Sequence, residues 1–116
     1  NANPSSMEVA LDNIATMEAE HKVLILGDML ELGEWSKEAH CTILRKADGI
    51  AERIILVGNE FAKAFVAVGK ELQADYALYP TTTEAVAALD NSPISNSLIL
   101  LKGSRGIALE KLIDKL

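Results

Sequence analysis

Clustered cations, long apolar runs, aromatics and paired cysteines are all scarce in this chain, and each shortage removes a class of function. Eleven lysines and arginines face 17 aspartates and glutamates, for a formal charge of −6. A nucleic-acid backbone or an anionic membrane demands clustered positive charge, so neither is expected as a partner. No apolar run approaches the roughly 20 residues that span a bilayer, and the polar start lacks a secretion pattern. The lone cysteine, Cys41, excludes an internal disulfide and every all-cysteine metal site. Its mid-helix position reads as a buried, inert thiol. His21 and His40 have no second histidine or cysteine at metal-ligand spacing, so no metal site is expected. His40 reads as a packing or surface histidine before it reads as a general base. Together these absences point to a cytoplasmic setting.

What remains is 49% hydrophobic with only 4% aromatics, so the core must be built from Leu, Ile, Val and Ala. At 116 residues the chain is one domain, large enough for a core and too small for a second module. The first residue is asparagine, and no complete strand precedes the first helix. The expectation is an excised fragment, residues 1–116, lacking the first strand of its domain.

The central stretch is Lys22-Val23-Leu24-Ile25-Leu26-Gly27-Asp28-Met29-Leu30-Glu31-Leu32-Gly33. Its apolar run does not alternate with polar residues, so it reads as a buried strand covered on both faces. It delivers Asp28 and Glu31 to a turn. Arg53 to Gly58 repeats the design, Ala74–Tyr79 is a shorter strand ending at Pro80, and Ser97–Leu101 is the last. Helices are expected from Pro4 to about Met17, Ser36 to about Ala47, Glu60 to Leu72 with Asn59 as its cap, Thr81–Thr83 to Leu89, and Gly106 to Leu116. Asn3 or Ser5 can cap the first, with Pro4 at its first position. This alternation gives an α/β fold, a three-layer Rossmann-like domain with a mainly parallel sheet.

At the end of the last strand stands Lys102-Gly103-Ser104-Arg105-Gly106. Two cations and a hydroxyl between glycines can hold a carboxylate or phosphate through charge and free N–H groups. The plainer reading is a turn whose cations face water. No Gly-Lys-Ser/Thr with a glycine five residues before it is present, so a self-sufficient nucleotide hydrolase is not expected. Asp28 and Glu31 can hold a cation, orient an amine or pair with Arg105, or Asp28 can simply cap the following turn. Trp35 either packs against the next helix or faces a partner domain.

Three stretches resemble the C-terminal domain of the Mur ligase family: Asn1 to Met7, Leu26 to Gly33 followed by Glu38 and His40, and Leu101 to Gly106 with Glu110. The resemblance is to the branch that adds D-alanyl-D-alanine to UDP-N-acetylmuramoyl-tripeptide in peptidoglycan synthesis. It implies an ATP-dependent ligase of three domains. The N-terminal domain would hold the UDP-sugar, and the central domain would hold ATP and Mg2+ with the phosphate loop. The domain resembled here closes over the nucleotide and helps present the incoming amino compound, whose amine attacks an acyl phosphate on the tripeptide. The resemblance places Asn3 near the adenine. Ala2 stands where other members carry histidine, so that contact is not carried over, and the family's ribose-contacting aspartate falls before Asn1. Lys102, Ser104 and Arg105 are expected to form a substrate-facing rim across one crevice from Asp28 and Glu31. No catalytic residue and no metal ligand is assigned to this chain, which alone should be inactive. The alternative is a noncatalytic α/β domain that binds a nucleotide or a small acidic ligand.

Overall fold

A computed structural model describes residues 2–116; Asn1, which opens the first matching stretch, lies outside the described residues. The chain forms α1 (Pro4–Thr16), β1 (Lys22–Gly27), α2 (Ser36–Asp48), β2 (Arg53–Val57), α3 (Asn59–Val68), β3 (Asp75–Tyr79), α4 (Thr82–Asn91) and β4 (Leu98–Lys102). All pairings are parallel, in the order β3-β2-β1-β4.

The unbroken apolar strands have the burial that their composition requires. From β1, Leu24 and Leu26 pack on one side with Met7, Leu11, Ile43, Leu44 and Phe61 of α1, α2 and α3. Val23 and Ile25 pack on the other side with Ala85 and Leu89 of α4 and with Leu109 and Leu112. Helical cover on both faces makes the three layers. In the register, Gly27 stands beside Val57, and Leu26 beside Lys102, so β1, β2 and β4 end at one edge. The chain winds outward from β1 through β2 to β3, then returns to place β4 on the other flank of β1. Connections diverge at such a reversal and leave a crevice at the strands' carboxyl ends.

Two elements differ from the sequence reading. Helix α3 starts at Asn59, with Gly58 before it at φ 120°, and ends at Val68 before a 3₁₀ turn at Gly69–Glu71. Asn59 is therefore the first helical residue and not the cap. The C-terminal segment is two stretches of 3₁₀ helix, Arg105–Ile107 and Leu109–Lys115, in place of one α-helix. Ala108 separates them in the left-handed conformation, φ 58° and ψ 42°, which an L-residue helix cannot continue through.

Candidate functional site at the carboxyl edge of the sheet

The connections after all four strands surround one crevice of about 520 Å³: residues 28–33 after β1, 58–60 after β2, Pro80 after β3, and Gly106 with Ile107 after β4. Sequence pattern brings each of these to the same edge because every strand delivers its apolar run to a turn there.

Asp28 is only 3% exposed and does not reach into the crevice as a free carboxylate. Its two oxygens accept from the Glu60 and Phe61 amides at 2.9 Å each, at the N-terminus of α3. Those are amides that a helix start leaves without partners, and the helix dipole favours an anion at that point. Gly58 makes the approach possible, since a Cβ there would overlap the Asp28 carboxylate. Asp28 thus caps α3, and not the turn that follows it in sequence, where one reading of the sequence places its capping role.

Ser104 is likewise drawn inside, at 5% exposure. Its hydroxyl accepts from the Leu30 amide at 2.9 Å and donates to the Ala2 carbonyl at 3.2 Å. The Ser104 amide donates to the Asp28 carbonyl at 3.1 Å. Ser104 therefore stitches the turn after β4 to the turn after β1, and neither it nor Asp28 stands on the rim where the sequence reading put them. Backbone contact enforces this, because a Cβ on Gly103 would meet the Gly27 backbone at 2.9 Å.

Glu31 is exposed on the lip of the crevice and takes a left-handed backbone, φ 66°. Lys102 and Arg105 do not face it across that crevice. Both border a separate depression of about 250 Å³ with Glu110, and Lys102 also borders a groove of about 540 Å³ beside Asn3, Ser5 and Asn13 of the α1 side. After β4 it is Gly106 and Ile107 that line the crevice with Glu31. Asn3 forms the reciprocal cap of α1: its side-chain oxygen accepts from the Ser6 amide at 2.9 Å, while the Ser6 hydroxyl accepts from the Asn3 amide at 3.0 Å.

Behind the lip lies a polar chain not anticipated from sequence. His40 is fully buried. It accepts from the Met29 amide through Nε2 at 3.0 Å and reaches the Ser36 carbonyl with Nδ1 at 2.7 Å. Its ring stands edge-on to Phe61, 4.6 Å between centroids. The Ser36 hydroxyl donates to Glu60 Oε1 at 2.6 Å, and Lys63 donates to Oε2 at 3.0 Å. The Ser36 bond first, and then Lys63, hold the Glu60 carboxyl below its usual range. The only sequence signal for this chain was the spacing of Ser36 and His40, one helical turn apart. Cys41 is buried, as expected.

Among the described residues no group of three His, Cys, Asp or Glu side chains is placed to hold a metal ion. With Asp28 occupied by amides, the residues present do not fit a Mg2+ site. Asn3 and Lys102 line one groove, where the Asn3 side-chain oxygen is taken up by the Ser6 amide. Among the described residues no helix is long and apolar enough to cross a membrane.

The family model described as "Mur ligase, glutamate ligase domain" matches residues 1–105. The UDP-N-acetylmuramoyl-tripeptide–D-alanyl-D-alanine ligase of Treponema pallidum (strain Nichols) is 38% identical over 116 residues, covering 97% of this chain and 25% of that protein. The ligase of the same name from Bacillus subtilis (strain 168) is 34% identical over 122 residues, covering 100% of this chain and 26% of that protein. A crystal structure of MurF from Acinetobacter baumannii superposes with a TM-score of 0.80 at 30% identity, covering all of this chain and 26% of that one. MurF ligase from Thermotoga maritima, solved in complex with ADP, has a TM-score of 0.74 at 18% identity over 99% of this chain and 26% of that one, and so bears on the fold alone. The chain spans about a quarter of the length of the curated relatives it matches.

Proposed function

This chain belongs to the Mur ligase family, matching its glutamate ligase domain, and from that premise we propose that it is the C-terminal lid and substrate-presenting domain of an ATP-dependent amide ligase. The reaction proposed for the longer protein is addition of D-alanyl-D-alanine to UDP-N-acetylmuramoyl-tripeptide in peptidoglycan synthesis, in the cytoplasm. The names of relatives up to 38% identical support that choice. The observation that carries the role assigned to this domain is the crevice shared by all four strand ends in a chain without a phosphate loop.

Within that role the residues divide by position. Glu31, exposed on the lip, is assigned the amine end of the incoming dipeptide. Arg105 is exposed on the separate depression that begins beside Gly106, and it is assigned the carboxylate end of a dipeptide laid from the lip across Gly106, where its planar fork suits two parallel hydrogen bonds. Asp28 and Ser104 act through the backbone by fixing the two turns that carry these groups. Asn3 and Lys102 share the groove assigned to the nucleotide's outer edge. ATP, held with Mg2+ mainly by the central domain, supplies the phosphoryl group that makes the tripeptide carboxylate reactive. Trp35, 67% exposed beside an apolar hollow of about 260 Å³, is a surface for the N-terminal or central domain of the same protein.

A phosphate-release assay tests the division of labour. The 116-residue chain is expected to fold and to release no phosphate from ATP, while the full-length protein releases it only with both tripeptide and dipeptide present. Turnover by the pure chain would overturn the reading. Binding of a nucleotide by the chain, with no ligation by the longer protein, would favour a noncatalytic binding domain.

A further inference from the structure

We propose that His40 is a positioning residue that locks the lip of the carboxyl-edge crevice, and that it does so only as the neutral tautomer protonated on Nδ1. Two independent neighbours fix this state. The Met29 amide points a proton at Nε2, 3.0 Å away, so Nε2 must present its lone pair. The Ser36 carbonyl, 2.7 Å from Nδ1, can only accept, so Nδ1 must carry the proton. The imidazolium would set one pair of like groups against each other, Nε2–H against the Met29 N–H, and the other tautomer would set two, adding the Nδ1 lone pair against the Ser36 carbonyl. The ring cannot swing away to avoid that conflict, because it is fully buried and edge-on to Phe61.

The bond to Met29 matters for the lip because it satisfies the buried amide in the middle of that stretch. Asp28 is tied by its side chain to α3, by its amide to the Val57 carbonyl and by its carbonyl to the Ser104 amide, and Leu30 is tied by its amide to the Ser104 hydroxyl. Met29 lies between them, and Glu31 follows with a left-handed backbone. Such a conformation persists only where its surroundings over-determine it. The ties that run through side chains reach three different elements: α3, α2 and the turn after β4. The tie from α2 is itself braced, since Ser36 donates to Glu60 at 2.6 Å and Glu60 belongs to α3. Loss of the histidine acceptor would leave the buried Met29 amide unsatisfied and free the lip to re-fold around Leu30–Gly33.

The consequence for ligation rests on the assignment of Glu31 to the dipeptide made above. The test therefore reads the lock and the ligation separately. Long-range 1H–15N correlation of the chain at neutral pH is expected to show His40 neutral and protonated on Nδ1; the Nε2-protonated tautomer or an imidazolium overturns the proposal whatever any variant does. Amide hydrogen exchange is then compared in His40→Leu, which removes the acceptor at similar volume, and His40→Gln, whose side-chain oxygen can reach the Met29 amide. Exchange at Met29, Leu30 and Glu31 is expected to quicken about tenfold or more in His40→Leu, equivalent to about 1.4 kcal/mol of local opening. Exchange in α4, on the opposite face, should follow only the global stability. His40→Gln should recover most of the protection. Equal exchange at the lip in the wild type and His40→Leu would overturn the lock. In the full-length protein, His40→Leu should raise KM for D-alanyl-D-alanine more than it lowers kcat, with partial rescue by His40→Gln. A loosened lip with unchanged kinetics would uphold the lock and instead sink the assignment of the lip to the dipeptide.

Discussion

Asp28 shows how a residue can carry the strongest sequence signal and still be assigned the wrong partner. Its place at the end of an apolar strand was legible, but its two amide donors lie 32 and 33 residues further along the chain, beyond the reach of any local pattern. Asp28→Asn keeps the volume but turns an NH2 group toward one of those amides. A loss of about 1–3 kcal/mol is expected by urea or thermal unfolding, the cost of an unsatisfied buried donor. Gly58→Ala should lose more, because the added Cβ overlaps Asp28 and the backbone is at φ 120°. A second carboxylate makes stability depend on pH. Burial pushes the Asp48 carboxyl up, but the Ala74 and Gln73 amides and the Tyr76 hydroxyl outweigh it, and the net direction is down. A group whose pKa is lower folded than unfolded stabilises the fold above its unfolded value, near 3.9 for aspartate, and that contribution is lost as the pH falls through the folded value. Asp48→Asn is therefore expected to lower the melting temperature at pH 7 and to make less difference near pH 2. An equal decrement at both pH values would show that the carboxylate's charge is not what matters.

At the scale of elements, the strands were the most legible part because each is an apolar run ending near a turn. Helices α1 and α4 were legible from their caps; Thr81 accepts from the Glu84 amide as its spacing suggests. The C-terminal segment was not. Leu109 and Leu112 bury themselves against β1 and α4, and a spacing of three serves a 3₁₀ helix as well as an α-helix. What broke the expected helix is the left-handed Ala108, at a position with no sequence signal. Left-handed alanine costs about 1–2 kcal/mol, while glycine's extra freedom in the unfolded chain returns about 0.4–1 kcal/mol of that. Ala108→Gly is thus expected to stabilise by about 1 kcal/mol or less in chemical denaturation. A destabilised variant would mean that the alanine methyl contributes more to packing than its backbone costs. The polar chain through His40 also belongs to this scale, since it joins α2, α3 and the turn after β1, and only tertiary structure could reveal it.

For the whole molecule, the alternation of elements was enough to give three layers and a parallel sheet, but not the strand order, because pairing across the sheet is nonlocal. The observed order puts the turns after β1 and β4 side by side, as the sequence reading required for a shared edge. It then separates the residues expected to share one rim: Glu31 opens on one crevice, while Lys102 and Arg105 border another depression. The function proposed above assigns the dipeptide to the lip at Glu31 and the nucleotide to the groove beside Asn3 and Lys102. Steady-state kinetics of the full-length protein with Glu31→Gln, varying D-alanyl-D-alanine at saturating ATP and then the reverse, tests this most directly. The KM for the dipeptide should rise about tenfold, as for one charged hydrogen bond of about 1.4 kcal/mol, with the KM for ATP unchanged. A dipeptide KM within about twofold of the wild type, below the smallest loss expected for such a bond, or a defect confined to ATP, would contradict it.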